Sequence, residues 1–364
     1  MSDRTTPHIA ARHILTYALS LDGGGVERAM LRLMRGWVAA GRRVTLVIGS
    51  GDGPYGGEIP DGVEIVVVGR SYLGLTRALP AQVRRFRPDI VFCAGNHYTG
   101  AAVWLRTRLG RDCPPIVAKV SNRLDRDDQP FPVRQGYRAW LRAHPRFIDH
   151  MVAMTPAMAK ETARMTGIPA DRLNVIANPP NLAPVGDPTP QPDGDYLIGI
   201  GRLVPQKRWD RAIDAFAQSM RRDTKLVILG EGEARAALEN QIAELGLRER
   251  ISLPGYAANP RPALDKARAL VLTSDFEGVP GVLAEALSVG TPVVVTDSSV
   301  AMREIVDDSR LGDVVRTDDL VGLTAAFDRW LAPGVTRPDP VPQRGADSVE
   351  RYLALFDGVL SWAG

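Results

Sequence analysis

The sequence predicts an α/β protein made of two doubly wound parallel-sheet domains. The chain has 364 residues, more than a single hydrophobic core usually serves. Short, continuous apolar runs rich in β-branched residues alternate with segments of helical periodicity, which is typical of parallel strands buried on both faces. A proline-rich stretch at 178–192 interrupts this alternation before it starts again, so a linker is predicted there.

Each half of the chain supplies five predicted strands. Those of the first half are 14–19, 44–48, 64–68, 90–93 and 116–120. Those of the second half are 196–200, 226–229, 251–253, 270–273 and 293–296. We therefore expect a first domain at 1–178 and a second at 179–347, facing each other across an interdomain cleft. The last helical segment, within 348–364, is expected to pack back on the first domain.

Composition excludes several classes of protein. Apolar residues make up 45% and charged residues 24% of the chain, as in an ordinary soluble globular protein. No run of about 18 apolar residues is present, and Met1–Ala11 lacks the apolar core of a secretory signal. Cys93, Cys113 and the five histidines show no metal-ligand spacing, so no metal site is predicted. A cytoplasmic location is expected.

The charges are unevenly distributed. The net charge is only +3, but the segment 70–146 contains 15 Lys or Arg against 5 Asp or Glu. This excess predicts that one face of the first domain meets something anionic. Within it, Phe131 opens a helical pattern in which Arg134, Arg138 and Arg142 share one stripe. Such a stripe is typical of a helix on an anionic membrane surface, or equally of a solvated helix packed on its own domain.

Two basic residues follow the strand 196–200, where open α/β sheets bind their ligands. Arg202 offers a planar fork and Lys207 a point charge, and both suit a diphosphate. The alternative is that both are solvated surface charges.

The segment 274–285 combines a glycine-containing loop with a helix start. Pro280 suits the first helical turn, and the N–H groups that follow are expected to point at an anion. Glu277 precedes the helix and Glu285 lies about one turn inside it. Their carboxylates are poor phosphate ligands but good acceptors for sugar hydroxyls. The amides concerned are those of Gly281, Val282 and Leu283.

Weaker signals lie at other strand ends. Gly24 and Gly25 precede a helix and allow close approach of an anion, although a tight turn explains them too; Arg28 breaks the dinucleotide glycine pattern. Tyr256 either stacks on a nucleobase or packs against a helix. His97 is a candidate for hydrogen bonding to donor or acceptor, or a turn histidine without a role. Arg123 is a further candidate for the diphosphate.

Several motifs together resemble one family. They are Gly201-Arg202 with Lys207, Gly230-Glu231-Gly232, Pro254-Gly255-Tyr256, Glu277 with Glu285, and Gly290-Thr291-Pro292. In this order and spacing they resemble the family-4 retaining glycosyltransferases, also called glycosyl transferases group 1. The resemblance covers the C-terminal half and, more loosely, the glycine loop near the N-terminus. It implies the glycosyltransferase B fold, which has two facing Rossmann-like domains.

The resemblance also implies roles for individual residues. Arg202 and Lys207 would bind the donor diphosphate, Glu277 the transferred sugar and Glu285 the ribose. The other implied donor-side residues are Gly24, Gly25, Gly230, Glu231, Tyr256, Gly281, Val282 and Leu283. The chain departs from the family pattern in having Gly281 where many members have Asn, and Ser121-Asn122 in place of a histidine. The second departure concerns the acceptor side.

The implied function is metal-independent transfer, with retention, from a UDP- or GDP-sugar to a glycan or lipid-linked acceptor. Cell-surface polysaccharide, lipopolysaccharide or glycolipid synthesis is the expected setting, with a peripheral position on the inner face of the membrane. The alternatives are a sugar-nucleotide epimerase, a non-catalytic nucleotide-sugar-binding module and a glycoside hydrolase. A hydrolase would leave the diphosphate features unexplained. Nucleic acid is not an expected partner.

Overall fold

The computed structural model describes residues 10–21, 24–53, 55–126, 129–180, 189 and 192–363. Most of the predicted proline-rich linker lies outside these residues, as do the first nine residues and Asp22 and Gly23 of the glycine loop. The chain divides into two compact units. The N-terminal unit comprises the described residues up to Pro179 and those from Gly345 onward, and the C-terminal unit is Pro180–Arg344.

The N-terminal unit contains seven strands among its described residues. They are β1 (His13–Ala18), β2 (Arg43–Ile48), β3 (Val63–Val67), β4 (Ile90–Cys93), β5 (Ile116–Lys119), β6 (His150–Ala153) and β7 (Leu173–Val175). The helices between them are α1 (Gly25–Ala39), α2 (Tyr72–Phe86), α3 (Thr99–Leu109), α4 (Phe131–Ala143) and α5 (Pro156–Thr166). All strand pairs are parallel, in the order β3-β2-β1-β4-β5-β6-β7.

The C-terminal unit repeats this plan. Its strands are β8 (Tyr196–Ile200), β9 (Lys225–Leu229), β10 (Ile251–Gly255), β11 (Ala269–Leu272), β12 (Val293–Thr296) and β13 (Gly312–Val315). Its helices are α6 (Trp209–Gln218), α7 (Arg235–Glu244), α8 (Arg261–Lys266), α9 (Gly281–Ser288), α10 (Met302–Ile305) and α11 (Leu320–Trp330). The parallel order is β10-β9-β8-β11-β12-β13, with one register shift between β9 and β10.

These sheets confirm the predicted fold class. Each strand order reverses beside the first strand of its unit, which is the doubly wound pattern. All ten predicted strands are present, with ends shifted by at most two residues. Three strands were not predicted, namely β6, β7 and β13. No helix in the described ranges is both long and apolar enough to cross a membrane.

The last helix, α12 (Ser348–Ala363), belongs to the N-terminal unit. The ring of Phe356 lies 5.3 Å from the ring of Trp37 in α1 and 6.1 Å from that of Phe92 in β4, all centroid to centroid. Tyr352 adds a second edge-on contact with Trp37 at 6.2 Å. All four rings are almost completely buried. The core of this unit therefore contains the end of the chain.

Candidate functional site

The strand order of the C-terminal unit places its candidate residues. β8 and β11 are neighbours at the point where the order reverses. The segment 201–208 follows β8, and the segment 273–281 follows β11, so both lie beyond the carboxyl ends of adjacent strands. Ligands of open α/β sheets bind in this position because the two loops diverge there.

Lys207 and Glu277 form an ion pair beyond these strand ends. Nζ of Lys207 lies 2.5 Å from Oε1 of Glu277. Oγ of Ser274 donates to the same oxygen at 2.6 Å. Glu277 is only 8% exposed, and its Oε2 accepts no hydrogen bond from the residues that the structure describes. One carboxylate oxygen is thus held by the protein, and the other remains available to a ligand donor.

Main-chain carbonyls join the turn that carries Lys207 to the loop after β11. The amide of Asp275 donates to the carbonyl of Gln206 at 3.0 Å. Nε2 of Gln206 donates to the carbonyl of Phe276 at 2.7 Å. Oγ1 of Thr273 donates to the carbonyl of Lys207 at 3.1 Å. The positions of Lys207 and Glu277 are therefore coupled.

Two arginines reinforce this junction through Asp275, and we call Arg208, Arg211 and Asp275 the arginine clamp. Arg208 donates to Asp275 at 3.3 Å and to Asp210 at 3.0 Å. Arg211, whose side chain is 12% exposed, donates to Asp275 at 2.7 Å. Arg208 has the left-handed conformation, with φ 49°, which is unfavourable for a residue with a Cβ. Its ion pairs offset part of that strain.

Close backbone approach explains the glycines of the second motif. The amide of Gly201 donates to the carbonyl of Leu229 at 3.0 Å, and that of Leu203 to the carbonyl of Glu231 at 2.8 Å. A Cβ on Gly230 would collide with the carbonyl oxygen of Gly201. The loop after β9 therefore lies directly against the loop that carries Arg202 and Lys207.

Arg202 differs from most arginines of this unit. It is exposed, and its guanidinium makes no hydrogen bond or ion pair with any described residue. Its carbonyl accepts from the indole of Trp209 at 3.0 Å, which holds the main chain at this point. An exposed, unpaired guanidinium beside an anchored main chain suits an anionic ligand.

Helix α9 starts at Gly281, with Pro280 as its N-cap residue and no side-chain cap. The amide of Leu283 donates to the carbonyl of Pro280 at 3.1 Å. Two of the three expected amides, those of Gly281 and Val282, therefore remain for an anion at this helix N-terminus. A Cβ on Gly281 would meet nothing within 4 Å. The half-buried Glu285 side chain makes no hydrogen bond to the described part of the chain.

Glu231 and Tyr256 lie at the ends of β9 and β10. The Glu231 carboxylate accepts from Arg235 at 2.7 and 2.8 Å, so a ligand at Glu231 would have to compete with this arginine. The Tyr256 side chain is 53% exposed. This exposure favours the stacking interpretation over packing within the unit.

In the N-terminal unit, Gly24 is the N-cap residue of α1 and Gly25 its first residue. A Cβ on Gly24 would collide with the carboxylate of Glu27, whereas one on Gly25 would meet nothing within 4 Å. A carboxylate of the chain itself therefore already lies near this helix N-terminus, where an anion is favourable. A phosphate would have to share the position with Glu27.

The N-terminal unit also contains a buried lysine, Lys119. Lys119 ends β5 and is 3% exposed. Burial lowers the pKa of Lys119 to about 8, and the charge of Glu27 opposes that shift. Lys119 was not among the residues predicted from the sequence, where its place in an apolar strand pattern was the available signal.

His97 and Arg123 lie in neighbouring loops of the N-terminal unit. His97 is exposed in a 3₁₀ turn after β4, and Arg123 is half-buried after β5. Oδ1 of Asn96 accepts from the amide of Ser121 at 2.7 Å, which ties the two loops together. The structure therefore brings these two predicted residues to the same edge of their sheet. Nowhere in the described ranges do three His, Cys, Asp or Glu side chains gather as a metal site requires.

Comparison with known families covers both units. The model for "Glycosyl transferases group 1" matches residues 187–337, and that for "Glycosyl transferase 4-like domain" matches residues 24–179. The chain belongs to the glycosyl transferases of group 1. The family resemblance predicted from the motifs is confirmed.

Two relatives show how far the likeness extends. The N-acetylgalactosamine-N,N'-diacetylbacillosaminyl-diphospho-undecaprenol 4-alpha-N-acetylgalactosaminyltransferase of Campylobacter jejuni is 36% identical over 124 residues, 34% of each chain. The match thus spans only about a third of that relative's length. The lipopolysaccharide 1,6-galactosyltransferase of Escherichia coli is 26% identical over 266 residues, covering 70% of this chain and 69% of that protein.

Solved structures show the same fold. HepE of Anabaena, crystallised with UDP and glucose, superposes with a TM-score of 0.70 at 20% identity. The superposition covers 96% of this chain and 95% of HepE. The glycosyltransferase B fold expected from the family resemblance is therefore confirmed.

Proposed function

We propose that this protein transfers a sugar from a nucleoside diphosphate sugar to a glycan or lipid-linked acceptor. The pairing of Lys207 with Glu277 carries this proposal. It puts a cation suited to a diphosphate 2.5 Å from a carboxylate suited to sugar hydroxyls, beyond two adjacent strand ends. Synthesis of cell-surface polysaccharide, lipopolysaccharide or glycolipid is the proposed setting, supported by the activities for which the two relatives are named.

The donor is proposed to lie against the C-terminal unit. Arg202 and Lys207 bind the diphosphate, together with the amides of Gly281 and Val282. Oε2 of Glu277 accepts from the sugar hydroxyls, since Oε1 is already held by Lys207 and Ser274. Glu285 binds the ribose. The proposed donors are UDP- or GDP-sugars, and the exposed ring of Tyr256 offers a face for the base.

The acceptor side is proposed to lie in the N-terminal unit. His97 is exposed at its sheet edge and offers a hydrogen-bonding ring. Arg123, Gly24 and Gly25 lie at neighbouring strand ends of that sheet and supply further polar groups for a phosphate or the acceptor.

The proposed reaction retains the anomeric configuration and uses no metal ion. The bond between the anomeric carbon and the diphosphate oxygen breaks, and the acceptor oxygen forms its bond to that carbon from the same face of the sugar. The proton of the acceptor hydroxyl passes to the leaving diphosphate. Negative charge then grows on the leaving diphosphate. Arg202, Lys207 and the start of α9 are placed to stabilise that charge electrostatically. No covalent intermediate on Glu277 is proposed.

A donor screen combined with a glutamate variant tests the function. UDP-, GDP- and ADP-sugars are incubated with candidate acceptors, and nucleoside diphosphate release, free sugar and isomerised donor are measured separately. Glu277→Ala should lower kcat/KM by about a hundredfold or more, because a transition-state contact to the sugar is lost. Glu244→Ala, at the exposed end of α7, should match the wild type. A Glu277→Ala variant with wild-type turnover would contradict the assignment.

We propose further that α4 rests on the inner face of an anionic cytoplasmic membrane. Phe131 and Val133 at its start are 66% and 55% exposed. Arg142 is exposed as well, so the helix presents apolar and basic groups together, whereas Arg134 and Arg138 are half-buried. Sedimentation with phosphatidylglycerol vesicles at low salt is the test. Binding by the wild type and loss in Phe131→Ser are expected; absence of wild-type binding would overturn the membrane proposal.

A further inference from the structure

The ion pair between Lys207 and Glu277 affects binding of the nucleotide product as well as binding of the donor. Glu277 and Lys207 are both shielded from solvent, with side chains 11% and 16% exposed. Charges at such positions are screened weakly by water and salt. The carboxylate therefore acts on any anion that reaches for Lys207.

We propose that Glu277 competes with the nucleoside diphosphate product for Lys207, so that the site favours the nucleotide sugar over the nucleotide left after transfer. The inference rests on the proposed function, since it takes Lys207 to be the diphosphate-binding cation. It assigns Glu277 a second role, as a group that weakens product binding.

The competition between Glu277 and the product for Lys207 depends on which ligand group lies next to Oε2 of Glu277. With the donor bound, sugar hydroxyls donate to Oε2, and the sugar fills the space between Glu277 and the phosphates. After transfer the sugar is gone, and the terminal phosphate carries an additional negative charge. The carboxylate then has no ligand donor, keeps its hold on Lys207 through Oε1, and repels the terminal phosphate.

Ser274 offers a matched control at the same oxygen. Its hydroxyl donates to Oε1 at 2.6 Å but carries no charge. Ser274→Ala removes one hydrogen bond from Glu277 and leaves the carboxylate and Lys207 in place. Glu277→Gln removes the charge and keeps the shape. A local packing effect would appear in both variants, whereas charge competition would appear in Glu277→Gln alone.

Binding of UDP and UDP-glucose is measured by titration calorimetry, with GDP and GDP-mannose as a second pair. Glu277→Gln should bind the nucleoside diphosphate about tenfold more tightly than the wild type does, equivalent to about 1.4 kcal/mol. It should bind the matching nucleotide sugar no more tightly. Ser274→Ala should change the ratio of nucleoside diphosphate affinity to nucleotide-sugar affinity by less than about threefold. The double variant Lys207→Gln/Glu277→Gln should bind the nucleoside diphosphate no more tightly than Lys207→Gln alone does.

The possible results distinguish failure of the competition from failure of the proposed function. If the wild type turns over a donor but Glu277→Gln binds the nucleoside diphosphate equally or more weakly, the competition is refuted and the proposed function stands. If the wild type binds neither nucleotide pair, both the function and the competition are overturned. Equal tightening in Lys207→Gln/Glu277→Gln would also refute the competition, because Lys207 would then not be its object.

Discussion

Replacing Asp275 with alanine removes the carboxylate shared by the two arginines of the clamp. Arg211 loses a 2.7 Å charged hydrogen bond and Arg208 one of 3.3 Å. The bond to the shielded Arg211 contributes about 1.5 kcal/mol. The pair with Arg208 contributes only about 0.5 kcal/mol, because the side chains of Asp275 and Arg208 are each 36% exposed. The expected loss of unfolding free energy is about 2 kcal/mol, or roughly 4–8 °C in the melting temperature of this unit.

Asp275→Ala should lower catalytic activity by more than its loss of unfolding free energy alone explains. The clamp holds the turn that carries Lys207, and a displacement of about 1 Å costs up to about a hundredfold in rate. We expect kcat/KM to fall by about 10- to 100-fold, with partial recovery in Asp275→Glu. Thermal unfolding and steady-state kinetics on one preparation provide the measurement, with Asp318→Ala, in the exposed pair with Arg316, as control. A lowered melting temperature with kcat/KM within twofold of the wild type would refute the positioning role.

Three other substitutions test the interpretation. The pKa of Lys119 is about 8 in the native protein and 10.5 in the unfolded chain, so between these pH values the unfolded chain binds more protons and the wild type should become more stable as pH rises. Urea titrations should show the unfolding free energy of the wild type rising by up to about 3 kcal/mol relative to that of Lys119→Met. A difference between the two proteins that does not change with pH would contradict the burial of a charged lysine. Phe356→Ala should destabilise the N-terminal unit by about 3–5 kcal/mol in thermal or urea unfolding, against no change for the exposed Met220→Ala; near-native stability would show that α12 is dispensable. Gly230→Ala should lower both stability and donor affinity, because its methyl group meets the carbonyl of Gly201; wild-type behaviour in calorimetry would contradict that contact.

The fold was largely predictable because its strands are continuous apolar runs flanked by glycine and polar turns. Two of the three missed strands, β7 and β13, lack that signature, whereas β6 is a buried run inside the sheet. β7 has three residues, Leu173-Asn174-Val175, none of them fully buried, and it lies at the sheet edge. β13 begins with Gly312-Asp313 and is also an edge strand. Short edge strands are defined by the neighbour they pair with, which local periodicity does not reveal.

The candidate site was predictable residue by residue but not as an arrangement. Lys207 and Glu277 were each identified from local motifs, yet their contact joins positions 70 residues apart. The arginine clamp was missed because Arg208 and Asp275 have no distinctive local pattern. Their meeting follows from the adjacency of β8 and β11, and the doubly wound order is the signal that predicts such a meeting.

Because α12 completes the core of the N-terminal unit, the order in which the chain is synthesised affects when that core can form. Trp37 and Phe92 leave the ribosome long before Phe356, the ring that completes their cluster. The entire C-terminal unit is synthesised in between and has all its strands available first. A nascent chain, or one truncated before Ser348, therefore keeps aromatic surface uncovered until the sixteen residues of α12 are made. Uncovered surface of this kind attracts chaperones and proteases, so the core of the N-terminal unit is protected only after α12 has been synthesised and has packed.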